Sequence, residues 1–126
     1  MKKILIVEDD KYLANAHRVK LSKSGFEAII AYDGEEAVRT CETFNPDIMI
    51  LDLILPNKDG FAVLAELKQN PKWKNLPVIV TSNLSQKEDI NRALKLGASD
   101  YIVKSNIDLN DLLQKINSLL TAQPAK

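Results

Sequence analysis

Polar side chains stand directly behind or within four short apolar runs of this 126-residue chain. They are the acids Glu8 and Asp9, the acid Asp52, the hydroxyl of Ser82 and the ammonium of Lys104. A carboxylate among buried apolar residues costs free energy unless it is paired, hydrogen-bonded or bound to a metal. A structural ion pair or a backbone amide would explain each residue alone. Complementary groups on four runs together indicate a shared site.

The residue types predict the chemistry of such a site. Carboxylate oxygens without a neighbouring His or Cys favour Mg²⁺, or alternatively Mn²⁺, over Zn²⁺. Mg²⁺ usually joins one or two carboxylates to a phosphate oxygen, and a hydroxyl and a lysine can donate to the remaining phosphoryl oxygens. Because a carboxylate can itself attack phosphorus, the set is suited to forming an aspartyl phosphate.

Apolar runs alternate with helical patterns along the chain, and these elements must position the polar residues. Strands are predicted at Lys3–Val7, Glu27–Ala31, Asp47–Leu51, Val78–Thr81 and Tyr101–Val103. Helices are predicted at about 11–24, 34–44, 60–69, 85–97 and 108–120.

Capping side chains support several helix boundaries. Asp10 and Asp33 stand as N-caps before the first two helices, and Gly25 ends the first. Ser85 and Glu88 have the spacing of a capping box, in which each side chain satisfies a backbone amide of the other residue. This pair predicts where the fourth helix opens.

Continuous apolar strands separated by helices predict a parallel sheet covered on both faces. We therefore predict an α/β fold: a doubly wound, five-stranded parallel sheet in the flavodoxin-like order 2-1-3-4-5. In that order strands one, three, four and five are contiguous, and ligands bind outside their carboxyl ends. The polar residues named above fall on this one edge.

Composition narrows the functional classes. The length suits one domain, predicted at residues 1–122, with a frayed tail at residues 123–126. Lys plus Arg and Asp plus Glu each number 17, so no general attraction to nucleic acid or anionic membranes is implied. No apolar stretch reaches the roughly 20 residues of a membrane span. The lone Cys41 cannot form an internal disulfide, which fits a reducing cytoplasm.

Four motifs carry a family resemblance over about Lys3–Leu120. In chain order they are ILIVEDD, DIMILDLILPNKDG, PVIVTSN and GASDYIVK. With this order and spacing, the sequence resembles the receiver domains of two-component response regulators, including the stand-alone chemotaxis receiver.

The resemblance implies a role for each site residue. Asp52 would be the phosphoacceptor, and Glu8 and Asp9 the acid pair at an Mg²⁺ ion, with Asp9 as a direct ligand. The backbone carbonyl of Ile54 would be a further ligand.

The remaining site residues follow the same resemblance. Ser82 would be the hydroxyl that follows the phosphoryl group, Lys104 its lysine partner and Tyr101 the aromatic switch. Thr81 is the other candidate for this hydroxyl role, but the spacing from Pro77 favours Ser82. Ser105 follows Lys104 where the family usually has a proline.

The implied partners are a sensor histidine kinase or histidine phosphotransfer protein, and a downstream protein target. We expect a cytoplasmic phosphoacceptor that catalyses only its own phosphoryl transfer and dephosphorylation, without direct DNA binding or membrane insertion. Two alternatives stay open: a phosphorylation-independent pseudo-receiver and a phosphorelay intermediate.

Other classes fit less well. A phosphatase of the haloacid dehalogenase type would carry a second Asp where Ile54 stands. A flavin or nucleotide domain would need a phosphate loop where Glu8 and Asp9 would repel phosphate. His17, Cys41 and Trp73 are predicted to be packed side chains.

Overall fold

A computed structural model of the chain describes residues 1–122. Within this range the strands are β1 (Lys3–Val7), β2 (Glu27–Ala31), β3 (Ile48–Leu51), β4 (Val78–Ser82) and β5 (Asp100–Val103). The helices are α1 (Lys11–Lys23), α2 (Gly34–Phe44), α3 (Gly60–Gln69), α4 (Lys87–Lys95) and α5 (Leu109–Ala122), with a 3₁₀ turn at Lys104–Asn106. None of these helices combines the length and apolarity needed to cross a bilayer. The predicted tail lies outside the described residues.

The strands pair in the order β2-β1-β3-β4-β5, and every pair is parallel. This confirms the predicted sheet order. Val7 lies opposite Leu51, and Ser82 lies opposite Val103. The residues that follow these positions therefore leave the sheet at one edge.

Alternate strand residues supply two separate cores. One face packs against α2, α3 and α4 through Leu5, Val7, Met49, Leu51, Val78 and Val80. The other packs against α1 and α5 through Ile4, Ile6, Ile48, Ile50 and Ile79. Both faces are covered, which explains why the strands are continuous apolar runs.

Two of the side chains predicted to be packed belong to the first of these cores. Cys41 is fully buried, and burial raises the pKa of its thiol to about 12. Trp73 is 6% exposed, and its indole N–H donates to Glu42 at 3.0 Å. Both predictions are confirmed.

The predicted boundaries of most elements are within one or two residues of those observed. The N-caps Asp10 and Asp33 are confirmed, since each accepts backbone N–H groups of the following helix. β3 begins one residue later than predicted, β5 begins one residue earlier and β4 extends to Ser82.

The predicted capping box of Ser85 and Glu88 is wrong. α4 begins at Lys87, after Gln86, whose side chain makes no cap hydrogen bond. The chain is fixed just before this point, because the Leu84 N–H donates to the Ser82 hydroxyl at 3.3 Å and the Leu84 carbonyl accepts from Tyr101 at 2.5 Å. From there the first carbonyl to accept helical N–H groups is that of Gln86, which accepts from Asp89 and Ile90.

His17 is the third predicted packed residue, and it lies on the inner face of α1. It is 1% exposed, and within residues 1–122 neither ring nitrogen has a hydrogen-bond partner. Burial lowers the pKa of His17, and the positive charge of Lys104 lowers it further. His17 is therefore a neutral core residue.

We expect His17 to make the protein less stable as the pH falls below about 6.5, the pKa of an unfolded histidine. The folded pKa is depressed, so the unfolded state binds more protons, and stability drops by at most about 1.4 kcal/mol per pH unit. Urea unfolding between about pH 7.5 and pH 5.5 measures this. Carboxylates affect wild type and His17→Leu alike, so the variant should lose less stability. Equal losses in both proteins would exclude this role.

Candidate functional site

The carboxyl ends of β1 and β3 place three acids together. Because Val7 and Leu51 are register partners, Glu8 and Asp52 leave the sheet side by side. Glu8 and Asp52 are 2% and 3% exposed, whereas Asp9 is exposed. One carboxylate oxygen of each acid lies within 4.8 Å of those of the other two.

This acid cluster fits a hard divalent cation. All three side chains offer carboxylate oxygens, the ligand type that Mg²⁺ and Mn²⁺ prefer. Two of the carboxylates are buried neighbours of like charge, so a cation between them would relieve their repulsion.

Lys104 already supplies one positive charge to this cluster. It follows β5, and its Nζ lies 2.7 Å from Asp52 Oδ2 and 2.5 Å from Glu8 Oε1. Burial by itself lowers the pKa of Lys104. Hydrogen bonds and charge attraction to Asp52 and Glu8 outweigh burial, so the pKa is raised. Lys104 is therefore an ammonium shared by two carboxylates.

Glu8 has a second partner that the sequence reasoning missed. It was predicted only as an acid at the metal, but it also faces Lys104. Burial raises the pKa of Glu8 despite Lys104 and the Asp10 N–H, which donates to Oε2 at 3.1 Å; the Asp52 charge raises it further. Strand alternation was the available signal, because successive residues after β1 point to opposite sides and only one of the two acids turns inward.

Ser82 and Tyr101 meet at Leu84. The fully buried Ser82 hydroxyl accepts the Leu84 N–H, and the Tyr101 hydroxyl donates to the Leu84 carbonyl. Burial raises the pKa of Tyr101, and the Ser82 hydroxyl opposes that rise. Thr81 is also buried, but the bond to Leu84 belongs to Ser82. Sequence reasoning missed Leu84 because it acts through its backbone, which leaves no residue-type signal.

The two loops beside Asp52 complete the geometry. The Ile54 N–H donates to Asp52 Oδ1 at 3.3 Å, and the Ile54 side chain is 57% exposed. Ser105, in the usual proline position, lies exposed in the 3₁₀ turn. Its peptide bond with Lys104 is trans, as are the others in residues 1–122.

Several curated proteins share this sequence pattern. The family model for the response regulator receiver domain matches residues 4–117. Response regulator ArlR of Staphylococcus saprophyticus subsp. saprophyticus is 36% identical over 126 residues, which are 100% of this chain and 56% of that protein. The chain spans about half the length of the curated relatives it matches.

Solved structures share the fold. The receiver domain of the Francisella response regulator 1452 is similar with a TM-score of 0.89 and 31% identity, covering 96% of this chain and 98% of that chain. The Mn²⁺-bound form of response regulator Rcp1 has a TM-score of 0.83 and 34% identity, covering 99% and 98%. With the family match over residues 4–117, these likenesses show that the chain belongs to the response regulator receiver domain family.

Proposed function

We propose that Asp52 accepts a phosphoryl group from a phosphohistidine of a sensor histidine kinase or histidine phosphotransfer protein. The main support is one arrangement: a buried carboxylate 2.7 Å from the Lys104 ammonium, with Glu8 and Asp9 beside it. In the transfer, an Asp52 oxygen bonds to phosphorus as the donor phosphorus–nitrogen bond breaks. The donor leaves as neutral imidazole, its other ring nitrogen carrying the proton.

The acids Glu8, Asp9 and Asp52, with the backbone carbonyl of Ile54, would hold Mg²⁺. Mn²⁺ is the alternative, as in the Mn²⁺-bound form of Rcp1. When bound, the ion supplies positive charge that neutralises the crowded carboxylates and the phosphoryl oxygens. The oxygen-only donor set supports this choice.

Lys104 and Ser82 would bind the transferred group. Lys104 already donates to Asp52, and its raised pKa keeps it charged. A charged ammonium donates a strong hydrogen bond to a phosphoryl oxygen. The Ser82 hydroxyl, at the end of the neighbouring strand, would donate a second.

The signal would leave through an output face made of α4, β5 and α5. If Ser82 turns toward the phosphoryl group, it releases the Leu84 N–H, and the loop shifts against Tyr101. The only buried residue of α4 is Ala93, and Leu94 is 44% exposed, so this helix can move with little loss of packing. The phosphoryl group would thus shift a pre-existing equilibrium toward the state that binds a downstream protein.

In this proposal residues 1–122 work as a cytoplasmic phosphoacceptor that catalyses only its own phosphorylation and dephosphorylation. Two alternatives use the same fold. A phosphorelay intermediate would pass the group on to a second histidine, and a pseudo-receiver would bind its partner without phosphorylation. Transfer of the phosphoryl group from the labelled protein to a histidine phosphotransfer protein would support the phosphorelay intermediate. Labelling of Asp52 would exclude the pseudo-receiver.

Incubation with acetyl phosphate and Mg²⁺ should add the mass of one phosphoryl group to the protein. Asp52→Asn should abolish this gain, because the amide is a poor nucleophile toward phosphorus. The matched control is Asp108→Asn, which alters an exposed carboxylate beyond the site. Mass spectrometry of the intact protein gives the answer, and full labelling of Asp52→Asn would refute the assignment.

Lys104→Met should destabilise the metal-free protein by about 3 kcal/mol near neutral pH, because it leaves two buried carboxylates without their cation. Adding Glu8→Gln to this variant should restore part of the loss. Lys115→Met is the control: it breaks a half-exposed ion pair with Asp100, worth below about 1 kcal/mol. Denaturant unfolding measures all of these. Similar losses for the Lys104 and Lys115 variants would contradict the shared-ammonium description.

Tyr101→Phe should change partner binding while leaving the rate of Asp52 phosphorylation nearly unchanged. It keeps the ring but removes the hydroxyl that bonds Leu84. Amide chemical shifts with and without the phosphate mimic beryllofluoride should differ at Leu84 and along α4 in wild type, and much less at α4 in the variant. Tyr12→Phe, on a 91% exposed ring, is the control. Identical responses of wild type and Tyr101→Phe would place the output elsewhere.

A further inference from the structure

Asp33 serves two elements with its two carboxylate oxygens. Oδ1 accepts the Glu36 N–H at 2.7 Å and so caps α2. Oδ2 accepts the side-chain amide of Asn57 at 2.8 Å. Asn57 belongs to the loop of residues 53–59, which joins Asp52 to α3. One side chain therefore ties the beginning of α2 to the loop that carries Ile54.

Asn57 holds an unusual backbone conformation. Its φ is +70°, and the Lys58 N–H donates to the Pro56 carbonyl at 2.8 Å across it. Three-residue turns with a positive central φ are rare and strained, and they persist only where surrounding contacts hold them. The hydrogen bond that Asn57 donates to Asp33 is such a contact, because Asp33 lies outside the loop.

Two glycines show how closely the same loop is packed. A Cβ at Gly34 would overlap the carbonyl oxygen of Lys58, and one at Gly60 would overlap that of Asp52. The Gly60 N–H also donates to the Leu53 carbonyl at 2.8 Å. The loop is thus held at both ends and against α2, so its path past Asp52 has little freedom.

We propose that Asp33 and Asn57 are positioning residues for the cation site. Their hydrogen bond would fix the loop so that Ile54 keeps its amide on Asp52 and its carbonyl in place as a ligand. This inference rests on the proposed function, because it assumes that a cation binds there. It adds that cation affinity depends on a contact made by neither the acids nor Lys104.

An exchange of the two side chains tests the proposal. Asn57→Asp places a carboxylate next to that of Asp33, and their repulsion should push the loop away from α2. The dissociation constant for Mg²⁺ should then rise roughly fivefold, the factor that one net hydrogen bond corresponds to. An added negative charge by itself would lower that constant, so the direction separates loop displacement from general electrostatics.

The double variant Asp33→Asn with Asn57→Asp restores the bond with donor and acceptor reversed. It has the net charge of wild type, Asn caps a helix as well as Asp, and Asp tolerates a positive φ. Its Mg²⁺ dissociation constant should return to within about twofold of wild type. Asp33→Asn alone should be nearly neutral, because the Asn57 amide can turn its oxygen toward the new donor.

Titration calorimetry measures Mg²⁺ binding, and hydrogen exchange of the Ile54 and Lys58 amides measures the loop in metal-free protein. Hydrogen exchange of these two amides should be faster in Asn57→Asp and should return to the wild-type rate in the double variant. The proposal is overturned if Asn57→Asp binds Mg²⁺ as tightly as wild type. It is also overturned if the double variant restores neither the Mg²⁺ dissociation constant nor the amide exchange rates. Wild type that neither binds Mg²⁺ nor labels at Asp52 would instead refute the proposed function.

Discussion

The site depends on one ammonium shared by two buried carboxylates. Lys104 lies within 2.7 Å of both Asp52 and Glu8, although the three residues follow three different strands and β4 separates two of them. Buried carboxylates without a counter-charge would take up protons or destabilise the fold. The parallel pairing and the register of the strands matter because they bring these three charges to one edge.

The surroundings of Asp52 differ in stiffness on its two sides. The loop after β3 is held by close backbone contacts at Gly34 and Gly60 and by the bond from Asp33. The segment after β4 is held chiefly through the backbone of Leu84, and α4 beyond it has one buried residue. In the proposed function, a phosphoryl group at Asp52 would therefore displace the less firmly held segment after β4 rather than the loop after β3.

Much of this arrangement can be predicted from the sequence. Continuous apolar runs such as Ile4–Val7 and Ile48–Leu51 are typical of strands in a parallel sheet that is covered on both faces. The capping box at Ser85 does not form: the bonds of Leu84 to Ser82 and Tyr101 set the path of the chain before it, and the helix begins at Lys87. The inward turn of Glu8 to Lys104, and the tie between Asp33 and Asn57, depend on side chains meeting across elements far apart in sequence. Strand alternation indicates that one of the two acids after β1 turns inward, but no local spacing encodes which distant side chain it meets.

The burial of Cys41 has a practical consequence. Its thiol is the only one in the chain, it is fully enclosed, and its pKa of about 12 leaves almost no thiolate at neutral pH. Alkylating reagents should therefore not react with Cys41 in the folded protein. A cysteine introduced at an exposed position such as Leu94 would be the single reactive thiol. A fluorophore attached there would report on the surface of α4 in a protein whose core stays as it is.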